Sequence, residues 1–331
     1  MTAPGDPSAR RAARLLRWYP AGWRARYGEE FAELLLAEFA EQPRSWRRAA
    51  DVARGGLLAR LTGAGLTSHL LEPSEQARAG LATAACSLAA FGALGIAMWA
   101  QLAIGWEWAP GSAAATAALV AMSAAAACLA AAAAAAAVPL IWAAVRALRN
   151  QPSRPVALSA WLALTGTSAL AFGSHHFENA WPGTGAHPLV PHGFLPAGAA
   201  AFGWAGTLSV SSYWAHPAAL AAFPAAEIAW MAVSPLALAA AVTGVAGLVR
   251  RLDLSPRVLR YEAWLASGAA AATAVFFAGA CGWVFAEGSG PGLFHAGTID
   301  IASLAVMMLA LSTAQRATGL ARKSAAGLRP H

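Results

Sequence analysis

The sequence predicts an all-α, polytopic membrane protein: six transmembrane helices preceded by a small cytoplasmic three-helix module. Three observations carry that expectation. The first is a run of 38 positions between Glu107 and Arg146 without one Asp, Glu, His, Lys or Arg. A crossing helix needs about 20 mostly apolar residues for a hydrocarbon core about 30 Å thick, and an ionised group at its centre is costly. The second is composition: 58% of the 331 residues are hydrophobic and 12% charged, with a mean hydropathy of +0.50. That suits a multi-span chain better than a large soluble fold. The third is the placement of Lys and Arg, which avoid every second connection between the apolar runs. Much of the long run is alanine, whose single methyl contributes only about 0.8 kcal/mol on burial. The absence of charge therefore carries the inference more than apolar bulk does.

In chain order, residues 1–9 are rich in Pro, Gly and Ser and are expected to be disordered. Residues 10–62 form the predicted helical module. Ala12, Leu15, Leu16 and Tyr19 recur at helical spacing until Pro20 and Gly22 break the pattern. A second helix, to about Glu41, is expected to bury Phe31, Leu34, Leu35 and Phe39, and Pro43 stops it. A third runs from Ser45, a suitable N-cap, to Leu61. Trp46, Ala50, Leu57 and Leu61 share its apolar stripe, opposite Arg44, Arg47, Arg48, Asp51 and Arg54. Such a basic face suits either solvent or anionic lipid headgroups. Residues 63–78, with two glycines, one proline and mixed charge, read as a linker.

The membrane domain is expected over 79–315. Its spans lie between Arg78 and Glu107, between Glu107 and Arg146, at 155–174, between Glu227 and Arg250, between Glu262 and Glu287, and at 292–315. Trp99, Trp106, Trp142, Trp161, Trp230, Trp264 and Trp283 fall near the ends of these runs, where an amphipathic indole is at home. The long connection 175–225 is an outer loop. Within it, 193–214 is uncharged and nearly long enough to cross, but its glycines and proline make a poor helix. We expect an interfacial or re-entrant piece there. Residues 316–331 are expected to form a tail.

All 23 Lys and Arg residues fall before residue 79, in 146–154, in 250–262 or from 316 onward. The connections 105–112, 174–225 and 287–292 hold none. Positive residues stay cytoplasmic, so both termini are expected inside. The net charge of +7 is spread over both parts of the chain and is no nucleic-acid footprint. The opening MTAPGDPSARRAAR leads into polar helix and does not read as a signal peptide.

Leu15-Leu16-Arg17-Trp18-Tyr19-Pro20, followed by Trp23-Arg24-Ala25-Arg26-Tyr27-Gly28-Glu29-Glu30-Phe31, resembles a recurrent bacterial pattern, roughly L-x-x-Y-P-x-x-W-R-x-R-Y-G-x-E. It looks like the N-terminal helical module of uncharacterised bacterial multi-pass membrane proteins, often linked with PadR-type regulators. It is also similar to prefix domains ahead of some permeases. The resemblance covers about 10–62 and implies a bacterial cytoplasmic membrane location and a cytoplasmic protein partner or transporter component; it supplies no catalytic residues. Trp23, Tyr27 and Phe31 give an aromatic stripe at i, i+4 and i+8, and Arg26 and Glu30 sit one turn apart, where they can pair weakly. Trp23, Arg26, Tyr27 and Glu30 are the candidate partner-binding residues.

Few other residues point to chemistry. Asp300 to Arg316 leaves fifteen uncharged positions, about 22 Å of helix, so the sixth span is expected to draw Asp300 into the outer leaflet. Intramembrane acids mark ion or proton paths, and Asp300, with Glu227 as a weaker second, is the candidate transport or proton site. Six histidines fall on the outer side, with His175, His176 and His295 the candidate metal ligands, although their spacing matches no ligand motif. Cys86, Cys128 and Cys281 all lie in apolar runs, form no CxxC pair, and read as buried, unreactive thiols. No phosphate loop or nucleophile elbow occurs, and no cofactor is expected. The favoured function is a non-enzymatic accessory or regulatory membrane protein. A six-span transporter with a path near Asp300, and an outer-face metal or redox protein, are the alternatives.

Overall fold

The computed structural model describes residues 7–41, 46–67, 71–103, 112–150, 153–180, 225–287 and 298–328. Among them every regular element is an α-helix. The segment 193–214 and Trp106 lie outside the described residues.

Three helices come first: α1 (Pro7–Leu16), α2 (Ala21–Glu41) and α3 (Trp46–Gly63). Proline suits the first position of α1 because its missing N–H would have had no intrahelical partner. The helix therefore begins inside the stretch expected to be disordered. Ala12, Leu15, Tyr19, Leu35, Phe39 and Val52 form a shared core, with Trp23 and Phe31 packed against it. Leu34, expected inside, is instead 61% exposed, because Leu35 and Phe39 take the inward face of α2.

The α3 pattern is turned relative to the sequence reading. Val52 and Gly56 are buried and Ala49 and Ala59 pack on the core, whereas Trp46 is 75% exposed and Leu57 50% exposed. Two glycines explain the rotation. A Cβ on Gly56 would lie 2.6 Å from Trp18 Cβ, and one on Gly55 would lie 2.5 Å from the Tyr19 hydroxyl. Only this bare face lets α3 approach the α1–α2 turn, and that close approach outweighs the larger apolar side chains elsewhere on α3. Arg60 then donates to the carbonyls of Trp18 (2.6 Å) and Arg17 (2.7 Å), satisfying groups at the end of α1. Arg48 pairs with Glu38 at 2.7 Å, joining α3 to α2.

Helix α3 ends in a Schellman turn. Leu66 N–H donates to the Leu61 carbonyl (2.9 Å), Gly65 N–H donates to the Thr62 carbonyl (2.8 Å), and Gly65 has φ of 72°. The next helix, α4 (Pro73–Ala103), starts within the expected linker. The turn is docked instead of free. Thr83 Oγ1 donates to the Ala64 carbonyl (2.7 Å), Gln76 Nε2 to the Gly65 carbonyl (2.9 Å) and Arg316 Nε to the Leu66 carbonyl (3.0 Å).

Among the described residues six long helices follow the turn: α4, α5 (Ala113–Asn150), α6 (Arg154–Ala180), α7 (Ala225–Arg251), α8 (Pro256–Glu287) and α9 (Thr298–Ala326). Among the described residues three stretches are long and apolar enough to cross a membrane: Ala127–Asn150, Arg154–Gly173 and Val233–Arg251. The most extensive packing pairs α4 with α9, α5 with α8 and α6 with α7, while α8 also meets α9 and α4 also meets α7. Small residues set the α6–α7 seam. A side chain on Gly166 would strike the backbone of Ala237 and Ala241, and one on Gly244 would strike Ala163 and the Ser159 carbonyl.

The largest core gathers the arginine-bearing ends of all six helices. It contains Ala77 and Leu81 of α4, Ala144 of α5, Val156 of α6, Leu248 and Val249 of α7, Leu259 and Ala263 of α8, and Ala321 and Ala325 of α9. Polar ties reinforce it: Arg78 Nη1 donates to the Leu252 carbonyl (3.2 Å) and Arg251 Nη1 to Ser159 Oγ (2.8 Å). Residues 316–326, expected to be tail, continue α9, with Ala317, Ala321 and Ala325 fully buried. Apolar side chains also line the outside of the bundle. Trp142 (70% exposed), Trp161 (59%) and Trp264 (65%) all project outward near this arginine-bearing end. Cys86 and Cys128 lie on the outer faces of α4 and α5 and not in the bundle core, and Cys281 is partly buried.

Candidate functional site

The candidate partner-binding residues occupy α2, and the structure divides them. Trp23 stacks on Tyr19 with ring centroids 4.0 Å apart and meets Phe31 edge-on at 5.5 Å. It is half-buried and belongs with the core. Tyr27 closes the cluster from outside, 5.5 Å from Trp23 and 39% exposed. Arg26 and Glu30 are both exposed. The guanidinium of Arg26 lies 5.2 Å from the Tyr27 ring centroid and makes no ion pair with Glu30, because the adjacent aromatic face competes for it. Arg26, Tyr27, Glu30 and Leu34 thus share an exposed stripe at offsets of 1, 3 and 4.

A second site emerges at Glu262, which sequence reasoning used only as the boundary of the fifth span. Its side chain is 6% exposed, and Oε1 is sealed from solvent without a hydrogen-bond partner. Leu259 and Ala263 on the same face are 1% and 0% exposed. Glu262 precedes the charge-free stretch of α8, 263–286, and burial pushes its pKa up to about 7. A signal was legible. Leu259, Glu262, Ala263, Ala266, Ala270 and Thr273 follow one helical stripe, while Arg257, Tyr261, Trp264 and Gly268 occupy the other, exposed side.

Asp300 lies in the first turn of α9, Glu227 in the first turn of α7, and His175 and His176 in the last turns of α6. His295 lies outside the described residues. Among the described residues no group of three or more His, Cys, Asp or Glu is placed to hold a metal ion. Two further buried polar atoms, Gln76 Oε1 and Ser234 Oγ, are also without partners. Comparisons with family models, curated proteins and solved structures give no match.

Proposed function

We propose that the chain is a six-span protein of a bacterial cytoplasmic membrane with both termini inside. In this reading it is a non-enzymatic accessory or regulatory protein, and α1–α3 form a cytoplasmic unit that binds a protein partner such as a transporter component. The sidedness is supported by the convergence of the arginine-bearing ends of α4–α9 in one core, because guanidinium groups stay on the cytoplasmic side. The outward-facing Trp142, Trp161 and Trp264 near that end suit an interfacial belt.

One observation carries the partner-binding role: α1–α3 enclose a core of their own yet leave Arg26, Tyr27, Glu30 and Leu34 facing outward on one helix. Exposed aromatic and arginine side chains are the common anchors of protein interfaces. The docked turn at 64–67 fixes this surface to the bundle, so a partner seated on α2 would be held at a set position relative to the membrane helices.

The test is a photoreactive amino acid at position 27 of the full-length protein in native membranes. A discrete protein adduct that is lost on adding Arg26→Glu is the expected result. Lipid adducts alone, or protein adducts indifferent to that change, overturn the role. Sidedness is checked separately by single cysteines at positions 150 and 255, with the native cysteines replaced. Labelling of either by an impermeant reagent from outside the cell overturns the orientation.

A further inference from the structure

The exposed stripe on α2 leaves Glu262 unexplained. A carboxyl group buried to this degree is ordinarily paired with a cation or held by several donors. Glu262 has neither. Its neighbours on the buried stripe, Leu259 and Ala263, pack in one core with residues of α4, α5, α7 and α9. Among the described residues, the charged groups at this end of those elements are engaged elsewhere or exposed. On α4, Arg78 reaches the Leu252 carbonyl, and Glu75 is exposed. On α5, Arg146 and Arg149 are exposed. On α7 and the turn after it, Arg251 donates to Ser159, and Arg250 and Asp253 are exposed. On α9, Arg316 holds the Leu66 carbonyl, Arg322 lies 4.9 Å from the Trp264 ring, and Lys323 is exposed. On α8 itself, Arg260 folds back to the Pro256 carbonyl at 3.3 Å, and Arg257 is exposed.

We propose that the carboxyl of Glu262 is a proton-binding site, enclosed in the helix interface and exchanging its proton with the aqueous phase at the arginine-bearing end of the bundle. The ligand is the proton itself. With Oε1 cut off from water and without a donor, burial favours the neutral acid over the carboxylate. Ionisation would favour entry of water or approach of a neighbouring cation at that oxygen. Either response would alter packing where six helices and the docked turn meet.

The test is infrared titration of the full-length protein in lipid bilayers. A carbonyl band of a protonated carboxylic acid is expected to persist near neutral pH. It should fall by more than about tenfold between about pH 6 and about pH 8.5 and be missing from Glu262→Gln, which keeps the shape of the neutral acid. Should that variant fail to fold, Glu262→Asp serves the assignment by shifting the band. Absence of a band above about pH 5.5, or a band unaffected by either substitution, overturns the proposal, because Glu262 would then be ionised like a surface carboxylate.

Discussion

Arg316, on α9, donates Nε to the carbonyl of Leu66 at 3.0 Å, so a side chain late in the chain closes the turn that ends α3. With Thr83 and Gln76 on the two preceding carbonyls, the turn becomes a fixed joint between α1–α3 and the long helices. The joint tolerates little at position 65. Alanine there would have to adopt φ of 72°, and its Cβ would lie 2.5 Å from the Gly80 nitrogen. Gly65→Ala is expected to cost about 1–3 kcal/mol, and Arg316→Ala about 1 kcal/mol for one exposed hydrogen bond. Limited proteolysis checks this: cleavage within 64–72 should rise in both variants, more in the first. Equal resistance in all three proteins would mean the joint does not hold the unit.

The α6–α7 seam gives a contrast between glycines that look alike in sequence. Gly166 and Gly244 sit where an added methyl would meet backbone, whereas Gly268 has nothing within 4 Å of its would-be Cβ. Gly244→Val or Gly166→Val should therefore force the two helices apart, with a cost of about 1–3 kcal/mol or more. Gly268→Ala should be neutral or stabilising by up to about 1 kcal/mol. Thermal unfolding of the purified protein orders the three, and a Gly268 variant as damaged as Gly244→Val would contradict the packing.

These glycines mark the limit of what the sequence discloses. The long helices begin and end close to where charge and proline place them, because an absence of charge over 20 or more residues is a one-dimensional signal. Helix α9 is an exception at its far end. Its alanines 317, 321 and 325 are buried although they lie among charged residues, since they share a face that Arg316, Arg322 and Lys323 leave clear. Pairing is not one-dimensional. With alanine so abundant, small-residue spacings occur on nearly every face, and only the three-dimensional approach singles out Gly166 and Gly244. The same difficulty turned α3: Gly55 and Gly56 offer no side chain to count, yet they decide which face goes inward. Glu262 was legible from its place on the buried stripe of α8, but its charge marked it as a boundary.

In the N-terminal unit, core and surface should separate cleanly under substitution. Phe39 is 6% exposed, and the Arg11 guanidinium lies 4.9 Å from its ring centroid. Phe39→Ala should destabilise the unit by about 3–5 kcal/mol. Tyr27→Ala, at the exposed edge, should cost about 1 kcal/mol or less through its lost ring contacts while removing the proposed contact surface. Hydrogen exchange of α1–α3 in the full-length protein distinguishes them. Protection should collapse in the first and persist in the second; collapse in both would place Tyr27 in the core.

The raised pKa of Glu262 gives stability a pH dependence of definite sign. Its carboxyl has an ordinary value of 4.5, which burial raises to about 7 in the folded protein. Between those values the folded state holds a proton that the unfolded chain has released, so stability falls as pH rises. The favourable contribution is complete below about pH 4.5 and is lost as pH passes through about 7, a difference on the order of 3 kcal/mol. Glu262→Gln cannot ionise and should lack this slope. In thermal unfolding followed by tryptophan fluorescence, the variant should match wild type near pH 5. Near pH 8.5 it should exceed wild type by several degrees. Parallel profiles would mean that the folded protein stabilises the Glu262 carboxylate as well as water does. That would require a cation or ordered water on an oxygen that has no partner in this structure.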